Sequence, residues 1–279
     1  MKPGEPSQTA AMVTLLRAVG DAGISHVPDF RDPTARRLLP SAWSNRLLRA
    51  ETMLKRGPST LLEVTRHGAD MMVLRTLVID EHVREAVRRG ARQMVILGAG
   101  LDGRAYRLRD LADVDVFEVD HPATQAFKKA RVGALDLVAK SVTFVEVNFE
   151  RDRLEDKLSS AGFRASVHTV WLWEGVTMYL TRDATRATLR SIARAGDAEA
   201  TLVVNYHTKH RAFLMNLLLR IWSEPQIGHW SAEAMAAELR ELGFRIEADT
   251  SAADWAVRYG IALPRYGLRN AVRVVVARR

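Results

Sequence analysis

From Gln93 onward the chain alternates short apolar runs with helical stretches, and each run gives way to a small or polar residue. The runs are Gln93–Leu97 before Gly98, Val114–Val119 before Asp120, Val142–Val147 before Asn148, Val167–Trp173 before Glu174, and Leu202–Tyr206 before His207. Between them, Asp102–Leu111, Pro122–Ala139, Arg151–Ser160 and Asp183–Ala195 space their apolar residues as helix faces do. Parallel strands of one sheet need a long crossover, usually a helix. Five strands linked in this way predict an α/β fold with a parallel sheet covered on both faces.

The flanks follow other rules. Residues 8–90 read as helical, with apolar spacing in Thr9–Val19, Trp43–Met53 and Leu61–Val87, punctuated by Pro28, Pro33, Pro40 and Gly57-Pro58. Near the other end, Ser231–Leu242 is a helix with Ser231 as N-cap and Gly243 as its stop. Phe244–Ala248 reads as a sixth strand, a loop carrying Trp255, Tyr259, Pro264 and Tyr266 follows, and Val272–Ala277 is a seventh strand. With no helical crossover between the last two, the seventh is expected to run antiparallel to its neighbour. The 279 residues suit one domain: a helical cap over 1–90, a core over 91–206, an inserted lid over 207–230, and a closing helix with two strands over 231–279.

Composition narrows the classes. A hydrophobic fraction of 47% excludes general disorder. The absence of cysteine excludes disulfides, cysteine-ligated zinc, iron–sulfur clusters and a cysteine nucleophile. The net charge of +8 raises the prospect of an anionic partner, but the arginines are spread from Arg17 to Arg279 without a basic run, so no nucleic-acid partner is expected. The first residues lack the charged and apolar regions of a signal peptide, and no stretch reaches the ~18 apolar residues of a membrane span. A cytoplasmic protein without a membrane partner is expected.

In an open parallel sheet, ligands lie beyond the carboxyl ends of the strands. The first strand runs into Gly98-Ala99-Gly100-Leu101-Asp102-Gly103, a G-x-G-x-x-G turn whose glycines allow a tight bend and close backbone approach. Asp120 follows the second strand 20 residues after Gly100, the usual offset of an acid that accepts from ribose hydroxyls; an N-cap for the helix at Pro122 is the plainer role. Glu118 alternates onto the same face. Asn148 and Phe149, after the third strand, suit an adenine. Glu174 follows an apolar strand and precedes Gly175, which favours a site role over that of a solvated loop acid. A literal G-x-G-x-x-G with a distal acid also fits an NAD(P)-dependent oxidoreductase, although a Tyr-x-x-x-Lys pair is missing.

Together these segments resemble S-adenosylmethionine-dependent methyltransferases, specifically the leucine carboxyl methyltransferase-like family. The resemblance rests on Pro6–Ala10 with Arg17-Ala18, Asp32–Ala35, Arg75-Thr76 with Ile79-Asp80, Gln93–Leu108, Phe117–Pro122, Trp173–Leu180 and Glu224-Pro225. It implies a seven-stranded Rossmann-like methyltransferase sheet with an antiparallel C-terminal strand. It implies S-adenosyl-L-methionine as cofactor and O-methylation of a carboxylate or hydroxyl on a small molecule or peptide. Arg75 then matches the arginine for the cofactor's methionine carboxylate, Gly98, Ala99 and Gly100 its loop, Asp120 the ribose acid, Asn148 and Phe149 the adenine position, and Glu174 the acid near the methionine moiety. Arg17 matches a basic residue of the cap. Relatives commonly carry threonine at the position of Gly103 and often aspartate at that of Asn148.

Methyl transfer asks mainly for positioning and water exclusion, worth roughly 7–11 kcal/mol when groups are well oriented. The N-terminal helices and the segment 208–230, with its apolar stripe Phe213–Trp222, are the natural lids. A carboxylate acceptor needs no base; a hydroxyl gains from one, and His207 is the best-placed histidine, ahead of His121, His168 and His210. Glu174, Tyr179 and His207 are the candidate catalytic residues. His207 and His210 find no third ligand at suitable spacing, so no metal is expected. Arg75, set among apolar neighbours, needs a partner: either a bound carboxylate or, on the helix surface, Asp80 or Glu81.

Overall fold

The computed structural model describes residues 7–148, 151–196, 199–209, 226–264 and 269–279. Its centre is a seven-stranded sheet in the order β3-β2-β1-β4-β5-β7-β6. The strands are β1 (Gln93–Leu97), β2 (Asp115–Asp120), β3 (Ser141–Glu146), β4 (Thr169–Trp173), β5 (Ala200–His207), β6 (Arg245–Ser251) and β7 (Val272–Arg278). The first five are parallel, and β7 lies antiparallel between β5 and β6, as expected. Chain order reverses between β1 and β4, which opens the crevice where such sheets hold ligands.

All five residues of β1 and of β4 are buried, because these unalternating apolar strands are covered on both faces. Met94, Ile96, Val116, Leu172 and Val203 form one core with Leu74, Val78 and Val83 of α4 (Thr60–Arg88) and with Trp255. Val95, Leu97, Phe117, Trp171, Trp173 and Val204 form the other. Its cover comes from Leu158 of α7 (Leu154–Ser160), Leu189 of α8 (Arg182–Ala195) and Leu239 of α9 (Ala232–Glu241).

The helical cap is formed by α1 (Gln8–Asp21), α2 (Pro33–Leu38), α3 (Ser41–Arg56) and the first turns of α4. Leu62 and Ala69 of α4 join a third core with Ala18, Trp43 and Leu47. The same helix therefore belongs to the cap at one end and to the sheet at the other. At Gly20, where α1 meets α4, an added Cβ would run into Val73 Cγ2, so only glycine permits the approach.

Several boundaries differ from expectation. The single helix read over 102–111 is split into α5 (Arg104–Arg107) and a 3-10 turn (Arg109–Asp113), because Leu108 is extended with φ −91° and ψ 99°. The helix read over 122–139 is α6 (Pro122–Val132), stopping before Gly133. Between β6 and β7, where no helix was expected, lies α10 (Ala252–Arg258), started by a capping box in which Ser251 and Asp254 satisfy each other's backbone N–H. Most of the lid expected over 207–230, including Phe213–Trp222 and His210, lies outside the described residues. No helix among the described residues is long and apolar enough to cross a membrane.

Candidate active site

Directly after β1 the backbone turns through Gly98 (φ +65°) and Gly100 (φ +50°), a region that strains any residue with a Cβ. At Gly98 a side chain would also run into Val176 Cγ2. The Ala99 N–H donates to Val119 O at 3.0 Å, tying the turn to β2. Asp120, at the end of β2, closes the arrangement: Oδ2 accepts from the Gly100 N–H at 2.5 Å and Oδ1 from the His121 N–H at 2.6 Å. Burial nevertheless pushes the Asp120 carboxyl above its usual range. Pro122 follows at the start of α6, and His121 rather than Asp120 is its N-cap.

Glu174 lies just past β4. Its Oε1 accepts from Arg75 Nε at 2.9 Å and Nη2 at 2.8 Å, and its Oε2 pairs with Arg104 Nη1 at 2.9 Å. Burial alone would raise this carboxyl, but the two guanidinium groups outweigh it and hold Glu174 below the usual carboxylate range. Arg75 thus finds its partner in neither Asp80 nor Glu81, the helix neighbours considered from sequence.

The pair is one end of a longer chain of charge. Arg104 also donates from Nε to Asp80 Oδ1 at 2.7 Å and pairs with Asp102. Arg107 Nη1 donates to Asp80 Oδ2 at 2.6 Å, and its Nε lies 3.5 Å from Asp32 Oδ1. Arg17 Nη1 reaches Asp32 Oδ2 at 3.2 Å, and its Nη2 donates to Leu101 O at 2.7 Å. Four arginines (17, 75, 104, 107) and four acids (32, 80, 102, 174) thus balance, joining the cap to the glycine turn and to the end of β4. A buried charge must be paired in this way or be costly. Arg104, Arg107, Asp32, Asp80 and Asp102 all lie in segments that carry the family resemblance, yet their spacing announced no role.

One donor beside Glu174 remains. Arg75 spends Nε and Nη2 on Glu174, whereas Arg104 Nη2 is buried and has no hydrogen-bond partner among the described residues.

The remaining expected residues scatter. Asn148 lies two residues beyond β3, its N–H donating to Asp152 Oδ2 at 2.8 Å; Phe149 is outside the described residues. Tyr179 ends a 3-10 turn (Thr177–Tyr179) that follows Glu174. His207 is the last residue of β5, 5% exposed, with Nδ1 3.4 Å from Gln226 Oε1. His168 sits before β4, at the opposite end of the sheet, with its ring 3.3 Å from Thr201 Oγ1, so it is no candidate base. Glu118 is committed elsewhere: it is fully buried and pairs at 2.5 Å with Lys128 of α6. Gly103 has a local explanation: a Cβ there would run into Thr34 Oγ1, so the hydroxyl of α2 occupies the space of a side chain at 103.

Comparison with known proteins fits this geometry. The family described as Leucine carboxyl methyltransferase matches residues 10–193. A Mycobacterium bovis protein, provisionally named an S-adenosyl-L-methionine-dependent methyltransferase, is 37% identical over 182 residues, covering 63% of this chain and 57% of its own length. A similarly named Mycobacterium marinum protein is 34% identical over 204 residues, covering 71% and 65%. The chain therefore matches little more than half of the first relative. Among solved structures, a Thermobifida fusca protein provisionally described as a methyltransferase aligns with a TM-score of 0.53 at 12% identity, over 99% of this chain and 96% of that one. An O-methyltransferase family protein from Burkholderia thailandensis aligns at 0.50 and 14% identity, over 98% and 95%. At such identities the likeness is one of fold.

Proposed function

The chain belongs to the leucine carboxyl methyltransferase family, and on that premise we propose that it binds S-adenosyl-L-methionine beyond β1, β2 and β4 and methylates an oxygen of a small molecule or peptide. The observation that carries the reading is the buried, unspent guanidinium nitrogen Arg104 Nη2, on the arginine that shares Glu174 with Arg75. An amino acid moiety carries a carboxylate and an ammonium, and this cluster offers donors for the one and an ionised acceptor for the other.

When bound, the cofactor supplies a methyl group on a positively charged sulfur for in-line transfer to the acceptor oxygen. Each carboxylate oxygen of Asp120 has accepted one N–H and has a lone pair left for a ribose hydroxyl. Gly98, Ala99 and Gly100 bring bare backbone to the ligand. Arg75 and Arg104 take the anionic end, and Glu174, kept ionised by them, takes the cationic one. Asn148 and Phe149 serve the adenine. Tyr179, at the end of the turn after Glu174, and His207, at the end of β5, are the candidate catalytic groups for the acceptor. Membership in this family and the antiparallel β7 both weigh against the oxidoreductase alternative.

Calorimetric titration of the full chain with S-adenosylhomocysteine tests the reading. One-to-one binding is expected, weakened by about 1–3 kcal/mol in Asp120→Ala, which removes an acceptor. Absence of binding, or unchanged affinity in the variant, overturns the assignment.

A further inference from the structure

Away from the candidate active site, α4 turns Glu63, His67 and Asp70 onto one face at i, i+4 and i+7, and the connection between α1 and α2 lays His26 over them. His26 Nδ1 lies 2.8 Å from Asp70 Oδ2, and its Nε2 lies 3.3 Å from Glu63 Oε2. The rings of His26 and His67 are 5.5 Å apart. Beyond that ring contact, His67 has no hydrogen-bond or ion-pair partner among the described residues. One ligand atom from each of His26, His67 and Asp70 falls within 4.8 Å of the others.

From this we propose a divalent metal site of the zinc type, with His26, His67 and Asp70 as ligands and water completing four-coordination. In a tetrahedral zinc site with bonds of about 2.0–2.1 Å, ligand atoms lie about 3.3 Å apart. The His26 Nδ1–Asp70 Oδ2 pair at 2.8 Å already lies inside that spacing, and turning the half-exposed His67 imidazole, whose ligand atom lies within 4.8 Å of the others, closes the rest. Two imidazoles with carboxylates select zinc-like ions over magnesium or calcium, which prefer all-oxygen shells. Asp70 is already braced as a ligand should be: it is fully buried, and its Oδ1 accepts from Ser25 Oγ and the His26 N–H, both at 2.7 Å. Arg66 engages Glu63 through Oε1 at 2.7 Å and leaves Oε2 3.3 Å from His26 Nε2, where it can hold the ring with Nδ1 turned toward Asp70 and the ion. The ion would staple the α1–α2 connection to α4, the helix that carries Arg75 two turns further on.

The test is titration of the metal-stripped, untagged full chain with zinc chloride, read by calorimetry and thermal unfolding, with cobalt(II) absorption as a report of four-coordination. Stoichiometric binding is expected, raising Tm by about 5 °C at a hundredfold excess over Kd. Affinity should fall at least about 100-fold in His67→Asn and in His26→Asn. Magnesium at the same concentration should not compete. Absence of stoichiometric zinc binding by the unaltered chain overturns the proposal, whatever the variants do. Equal binding by folded His26→Asn/His67→Asn also overturns it.

Discussion

Arg75 and Glu174, ninety-nine positions apart in sequence, meet through two guanidinium nitrogens on one carboxylate oxygen. Arg75 is buried and the Glu174 side chain is 13% exposed, and Arg104 holds the second oxygen. Arg75→Ala therefore acts twice, removing a ligand donor and leaving Glu174 half compensated. Breaking one side of a buried pair costs about 3–5 kcal/mol, so denaturant unfolding should show a loss of that order together with weaker S-adenosylhomocysteine binding. Arg75→Ala/Glu174→Gln should recover part of the stability and none of the affinity. A double variant as unstable as the sum of the singles would mean that the two side chains are energetically independent.

A second expectation concerns pH. Burial pushes Glu118 up to about 7 despite Lys128 beside it. A carboxyl raised in the folded state holds its proton where the unfolded chain has released it. Stability from this group is therefore full below the ordinary glutamate value of 4.5 and is lost as pH rises toward about 7. Unfolding midpoints measured across that window should slope downward from this contribution, and Glu118→Gln/Lys128→Met should flatten the slope. An unchanged slope would show that Glu118 is ionised throughout.

The acceptor class can be read from His207, buried at the end of β5. If the acceptor is a hydroxyl, His207→Ala should lower kcat by about 10²–10⁴-fold, the usual contribution of a positioned base. With a carboxylate acceptor most of the activity should survive. Methyl transfer to RNA or DNA without turnover of any small acceptor would refute the substrate reading altogether.

The sheet was legible where burial is two-sided. Met94–Leu97 is apolar without a break, and the structure has β1 over those residues with Gln93 at its start. Edge strands hide better: β6 runs on to Ser251 through Glu247 and Asp249, and a register shift between Ile246 and Ala248 disturbs its alternation. The helix α10 escaped because seven residues give little periodicity, although its Ser251…Asp254 cap was there to be read. Of the site, the link between Gly100 and Asp120 is a spacing within one βαβ unit and so could be anticipated. Contacts across the fold could not. Nothing local to Arg75 announces Glu174, and His26 and His67 belong to different elements that only the packing of α1 on α4 brings together.

Consider, last, α4 as a mechanical part. It is 29 residues long, about 43 Å, without a proline. One end is embedded in the core of the cap and the other in the core of the sheet. Such a beam transmits torque rather than absorbing it, and the salt links from Arg17 through Asp32 to Arg107 reach it from the side at Asp80. The helices at the N-terminus, read from sequence as a lid, thus share this beam with the sheet, so a shift of the cap has to carry α4, and with it Arg75, along.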